Sequence, residues 1–221
     1  MSRFDLVIFD CDGVLIDSER LAVRTESQIL TELGWPLSEA EVIDQFVGRS
    51  SAYMQSVIEE RIGRPVDWRN EFERRVREVC ERELEPVNGV IAALDEIAVS
   101  TCVASSSSHQ MLNFKLGLTG LAERFAGHIF SADDVAQGKP DPAVFLFAAA
   151  SMGVPPDRCA VIEDSVSGVE AGLAAGMTVF AFSGGVTSPQ KLQRHNVTVF
   201  ESMHLLPELL VQSQGPSSMR R

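Results

Sequence analysis

The chain has 221 residues, enough for one large domain or a domain with a smaller insert, and is 45% hydrophobic and 23% charged with mean hydropathy +0.06. A formal net charge of −12 opposes non-specific binding to nucleic acid or anionic membrane, so an anionic substrate needs a locally positive site. Cys11, Cys80, Cys102 and Cys159 form no CxxC pair or zinc spacing, and neither a leader peptide nor a membrane-length apolar run is evident, so buried thiols and a cytoplasmic location are expected.

Short apolar runs read as buried parallel strands: FDLVIF (4–9), TCVAS (101–105), GHIFS (127–131), CAVIE (159–163), MTVFAF (177–182) and VTVF (197–200). Helical patterns separate most of them, as in 143–152 and 166–175. Strands alternating with helices predict an α/β fold, a doubly wound parallel Rossmann-like sheet. One stretch breaks the alternation. From 18 to 84 the apolar residues follow helical spacing only, with a capping box at SEAE (38–41) and breaks at 34–36 and 64–66. A helical insert after the first strand is therefore expected. Residues 1–16 and 86–212 would form the core and 17–85 the inserted helical domain. The mixed charges from Arg69 to Glu85 read as a solvated helix face, and the small, polar tail 213–221 as disordered.

Four polar clusters fall at strand ends or in the loops after them. The first strand ends in Asp10-Cys11-Asp12-Gly13. Asp and Gly are ordinary turn residues, but carboxylates at i and i+2 on this edge can also converge, one attacking and one handling protons. Ser105 to Ser108 end the second core strand and precede a helix, which suits either an N-cap or an anion site. Lys139, one of only three lysines, sits between prolines in Gly138-Lys139-Pro140-Asp141-Pro142 and could equally be a surface turn lysine. Glu163 and Asp164 close the CAVI strand. Such acids would resist ionising beside Asp10 and Asp12 unless a divalent cation and a lysine compensated, and an oxygen donor set suits Mg²⁺ over zinc.

In order and context these clusters resemble the four motifs of the haloacid dehalogenase superfamily. The match is DxDG at 10–13, the Ser105 strand end, the Lys139-Pro140 loop and EDSxxGxxAGxxAGM at 163–177. The helical insert resembles that superfamily's C1 cap, and the chain resembles the β-phosphoglucomutase-like branch with its sugar-phosphate and 6-phosphogluconate-type phosphatases. The resemblance implies a Mg²⁺-dependent phosphatase of a small phosphomonoester. Asp10 would attack phosphorus and form an aspartyl-phosphate, while Asp12 would protonate the leaving oxygen and then activate water. Ser105, Ser106 and Lys139 would hold the phosphoryl group. Asp10, the backbone carbonyl of Asp12, Asp164 and Glu163 would coordinate the metal, and Arg49 in the cap loop would touch the substrate's far end.

Asp12 argues against dehalogenation, in which no alkoxide leaving group needs a proton. With no lysine before Lys115, the Schiff-base chemistry of related phosphonate hydrolases is excluded. The mutases of this branch carry a cap-loop arginine where this chain has Ser51, and a histidine soon after the first motif, whereas no histidine here precedes His109. A phosphosugar mutase and a non-enzymatic acidic scaffold are the alternatives. His109 reads as a helix-surface residue that could also face the site. The substrate and the oligomeric state are not legible, and a monomer suffices.

Overall fold

The computed structural model describes residues 3–49 and 51–212. The tail 213–221, expected to be disordered, lies outside the described residues, as does Ser50. Six strands, β1 (Leu6–Phe9), β2 (Ser100–Ser105), β3 (Ile129–Ser131), β4 (Cys159–Glu163), β5 (Thr178–Phe182) and β6 (Val197–Phe200), form one parallel sheet in the order β3-β2-β1-β4-β5-β6. This is the expected doubly wound fold. Successive side chains of a strand alternate faces, and β1 follows that rule. Leu6 and Ile8 join the apolar layer beneath α7 (Ala143–Ser151) and α8 (Val166–Ala174). Val7 and Phe9 join the opposite layer with α5 (Val90–Glu96), α6 (His109–Leu118) and the last helix (Leu206–Gln212).

Three strands are shorter than their apolar runs suggest: β1, β3 and, by the single residue Met177, β5. Phe4 is buried edge-on against Phe180 but precedes the ladder. Gly127 adopts φ +77°, and the His128 N–H turns back to donate to the Phe125 carbonyl while its own carbonyl accepts from the Val103 N–H, so β3 starts at Ile129.

Among the described residues, four helices and no strand lie between β1 and α5: α1 (Ser18–Glu32), α2 (Glu39–Phe46), α3 (Ser51–Ile62) and α4 (Trp68–Glu83). They enclose an apolar centre of their own around Leu30, Val42, Ile58 and Trp68. Ser38 and Glu41 form the expected reciprocal cap of α2. Part of the charged run is a solvated face of α4, laced by pairs such as Arg69–Glu73 and Arg74–Glu78 at i,i+4 spacing, while Arg75 pairs with Glu32 of α1 and Arg77 faces the core helix α6. The two crossings between insert and core run side by side. Asp17 N–H donates to the Glu85 carbonyl, Val87 N–H donates to the Leu15 carbonyl, and Ile16 bridges Pro86.

All four cysteines are buried and unpaired. Among the described residues, no helix is long and apolar enough to cross a membrane.

Candidate active site

Strand order reverses between β1 and β4, whose carboxyl ends splay their following loops apart. In open α/β sheets this is where a crevice forms. Asp10 and Asp12 leave β1 on one side of it, and Glu163 and Asp164 end β4 on the other. Ser105 ends β2, and Lys139 arrives from the loop before α7. Asp10, Asp12, Ser105, Ser106, Lys139, Glu163 and Asp164 thus meet in one cavity of about 250 Å³, roofed by Ile43, Val47 and Gly48 of the insert.

The centre of the cavity is a lysine between two acids. The Lys139 ammonium donates to Asp10 Oδ1 at 2.5 Å, to Glu163 Oε1 at 2.7 Å and to the Ala104 carbonyl at 3.1 Å. Its side chain is 2% exposed. Burial works against the charge, but Asp10 and Glu163 outweigh it and raise the Lys139 pKa above its ordinary value. Glu163 is locked from the other side. Its Oε2 accepts from the Asp164 and Ser165 N–H groups and from the Ser165 hydroxyl. Two glycines of the motifs are explained by these carboxylates. A Cβ on Gly168 would stand 1.8 Å from Glu163 Oε1, and one on Gly13, already at φ +75°, 2.0 Å from Asp164 Oδ2.

Asp12 has a separate set of partners. Its Oδ1 accepts from the Ser18 hydroxyl and the Lys115 ammonium, each at 2.5 Å, and its Oδ2 from the Ser107 hydroxyl at 2.7 Å. Burial opposes ionisation here too, but Lys115 and the two hydroxyls outweigh it and hold the carboxyl below its usual value.

The remaining acids are short of partners. Burial pushes Asp10 up to about 8 in spite of Lys139, with Glu163 and Asp12 adding to the rise. Burial and then the Asp12 charge bring Glu19, in the first turn of α1, to about 7. Burial and the adjoining Glu19 carry Asp164 well above the carboxylate range. Glu19 Oε2 and Asp164 Oδ2 are buried without a hydrogen-bond partner. Orphaned buried oxygens, an all-oxygen donor set and too few cations for the acids present fit a hard divalent cation such as Mg²⁺. Among the described residues, no three His, Cys, Asp or Glu side chains are already drawn together as ligands.

Two expected neighbours lie off the centre. Arg49 does not line the cavity; its guanidinium sits over Tyr53, 5.5 Å from the ring centre. His109 turns to the loop after β3, its Nε2 2.9 Å from Asp134 Oδ1. Conversely, Ser18, Glu19 and Lys115 reach the site and are absent from the sequence-based set, and Ser107, within the serine run 105–108, bonds Asp12. Lys115 left a signal: it shares the buried stripe of α6 with Leu112 and Leu116. A lysine on such a stripe requires a buried partner.

A parallel sheet with an acid pair after β1, a lysine bound to the first acid and further acids after β4 defines a hydrolase of the haloacid dehalogenase kind. Residues 4–176 match the model of the haloacid dehalogenase-like hydrolases. The 6-phosphogluconate phosphatase of Escherichia coli is 31% identical over 212 residues, 95% of this chain and 96% of that protein. A conserved haloacid dehalogenase-like protein of unknown function from Agrobacterium tumefaciens superposes with a TM-score of 0.89 at 38% identity, over 96% of this chain and all of that one. A haloacid dehalogenase family hydrolase from Deinococcus radiodurans, solved with bound phosphate and sodium, superposes at 0.82 and 30% identity, over 96% of this chain and 97% of that one. The chain belongs to the haloacid dehalogenase-like hydrolase family. It is a phosphoric monoester hydrolase.

Proposed function

We propose that this protein hydrolyses a small phosphorylated metabolite, a sugar phosphate or sugar-acid phosphate, through a phosphoenzyme on Asp10. The carrying observation is the contact between Lys139 and Asp10 at the strand-order reversal. A cation on one Asp10 oxygen orients the carboxylate and leaves its other oxygen as the nucleophile. That oxygen attacks phosphorus and the bond to the leaving oxygen breaks. Asp12, ionised in the free site, takes up a proton as the substrate's phosphate group binds and gives it to the leaving oxygen. Water then attacks the same phosphorus, Asp12 accepts the proton of that water, and Asp10 and inorganic phosphate are released. Lys139, Ser105 and Ser106 hold the phosphoryl oxygens, and Glu163 holds Lys139. Phosphoryl transfer is limited mainly by positioning and charge neutralisation, which this arrangement supplies.

Asp10, the Asp12 backbone carbonyl and Asp164 would hold Mg²⁺, with Glu163 committed first to Lys139. Bound there, Mg²⁺ would neutralise phosphoryl charge. Residues 17–85 act as a cap over the site, moving about the paired crossings at 16–18 and 85–88 and excluding water when closed. Arg49 would approach the substrate only by leaving Tyr53. Four free buried thiols support a reducing, cytoplasmic setting. The 31% identical 6-phosphogluconate phosphatase and the 33% identical hexitol phosphatase B of E. coli support a phosphorylated sugar derivative as substrate.

The test is phosphate release from p-nitrophenyl phosphate and from a panel of phosphorylated sugars and sugar acids, with the organic products identified. β-Glucose 1-phosphate with a trace of the 1,6-bisphosphate belongs in the panel. Free phosphate without an isomerised sugar supports hydrolysis. Rapid glucose 6-phosphate with little free phosphate would establish a mutase instead.

A further inference from the structure

A second and larger cavity, about 760 Å³, lies on the other side of Asp12 from the phosphoryl pocket, and the two share Asp12 and Glu19. Residues of α1, α4 and α6 wall it, so it opens between the insert and the core. Asp12 presents its carboxylate to this side. The Ser18 hydroxyl and the Lys115 ammonium on its Oδ1 both belong to the second cavity's wall. If Asp12 protonates the leaving oxygen, the leaving group extends into this space, and the walls select what it can be.

One wall residue differs from its neighbours. Helix α4 carries five arginines, and Arg69, Arg74, Arg75 and Arg82 are each ion-paired to glutamates. Arg77 has no carboxylate partner among the described residues. Its guanidinium lies over Phe114, 4.5 Å from the ring centre, with Nη2 3.9 Å from Met111 Sδ. These contacts fix a planar cation in place without neutralising it. In a chain of net charge −12, and on a helix rich in glutamate, this is a positive charge left available at a cavity wall. Asn70 and Gln110 line the same space and offer amide groups to hydroxyls. The acids facing it are Asp12, held by Lys115, Glu73, held by Arg69, and Glu19.

We infer that this cavity is the leaving-group subsite and that Arg77 reads a carboxylate at the far end of a hydroxylated chain. The substrate is then the phosphate ester of a sugar acid rather than of a neutral sugar or polyol. The inference rests on the phosphatase reading above, in which Asp12 faces the leaving group. A guanidinium matches a carboxylate with two parallel hydrogen bonds, and its stack on Phe114 removes part of the ordering entropy of binding.

The decisive comparison uses 6-phosphogluconate and sorbitol 6-phosphate, six-carbon chains that differ at the far end by a carboxylate against a CH₂OH group. Binding is measured by calorimetry with Mg²⁺ present, in an Asp10→Asn background that leaves both esters intact. The acid should bind about ten- to a hundredfold more tightly, the range for a hydrogen-bonded charge pair. Arg77→Met should remove the preference, and Arg77→Lys should retain part of it. Equal affinities in the parent, a preference that survives Arg77→Met, or no binding of either ester at millimolar concentration each overturn the assignment. Phosphate release from p-nitrophenyl phosphate by the unmutated chain is a separate measurement. Its failure rejects the phosphatase reading, while equal affinities beside intact turnover reject only the subsite.

Discussion

Asp10 and Asp12 are two residues apart, yet their surroundings divide the work between them. Asp10 is nearly closed off, and one of its oxygens is bound to Lys139. Asp12 stands in a wetter place, 23% exposed at its side chain, with three donors around it. The two substitutions should therefore differ in kind. Asp10→Asn removes the nucleophile and replaces a charged partner of Lys139 with an amide, so phosphate release should fall below detection. Asp12→Asn leaves the nucleophile and should lower kcat by about 10²–10⁴-fold, the usual worth of positioned proton transfer. Phosphate release by both variants, with circular dichroism to check folding, decides the matter. Asp10→Asn retaining more activity than Asp12→Asn would reverse the two roles.

At the scale of elements, α8 begins against the site, and its third residue is the point of contact. Alanine is favoured over glycine in a helix by about 0.8–1.0 kcal/mol, so Gly168→Ala would stabilise a free helix. Here the added Cβ would stand 1.8 Å from Glu163 Oε1, whose carboxylate is fixed by Lys139 and three donors after β4. Overpacking of that kind costs about 1–3 kcal/mol and should win. Gly168→Ala is expected to lower both Tm and kcat/KM, because moving Glu163 also moves Lys139. A rise in Tm with full activity would mean that Glu163 yields freely.

Helix α4 makes a prediction of another kind. Hydrogen bonds from Arg74 and then Arg75 lower the Glu71 pKa to about 2. A depressed acid adds stability above its unfolded pKa, near 4.5, and that contribution is lost as pH falls from there towards 2. Thermal melts should find Glu71→Gln less stable than the parent at pH 7, with the gap closing between pH 4.5 and 2. Because the network is exposed, the gap at pH 7 should be small and should shrink in high salt. A gap that persists at pH 2 would place the effect in packing rather than charge.

For the whole molecule, the sheet and the insert together gather more buried negative charge than Lys139 and Lys115 can offset. Asp10 and Glu163 share Lys139, and Asp12 takes Lys115. Asp164 and Glu19 face each other with orphaned oxygens. Chelator should therefore abolish turnover and Mg²⁺ restore it. Ca²⁺ should restore it poorly, because its larger and looser shell can draw in both Asp10 oxygens. Mg²⁺ should also raise the Tm, since an ion that binds the native state stabilises it by mass action. Full activity in excess chelator would remove the metal from the mechanism.

By itself the sequence determined the α/β alternation, the strand cores of β4 and β6 to the residue, the position of the helical insert and the Ser38–Glu41 cap. These are encoded by local periodicity and capping chemistry, which neighbours in the chain carry. It also marked Asp10, Asp12, Ser105, Ser106, Lys139, Glu163 and Asp164 as candidates, partly because strand ends in such a sheet share one edge and partly through the family motifs those residues resemble. The tertiary structure alone decided the partnerships. Lys115 with Asp12 spans 103 positions and Lys139 with Asp10 spans 129. No local pattern encodes an encounter between separate elements; it depends on where α6 crosses the sheet and how the loop before α7 turns. The same holds for Glu19, which reads as a helix N-terminal acid until α1 carries it to Asp164, and for Arg77, one arginine among five until the fold stacks it on Phe114 with no ion pair among the described residues.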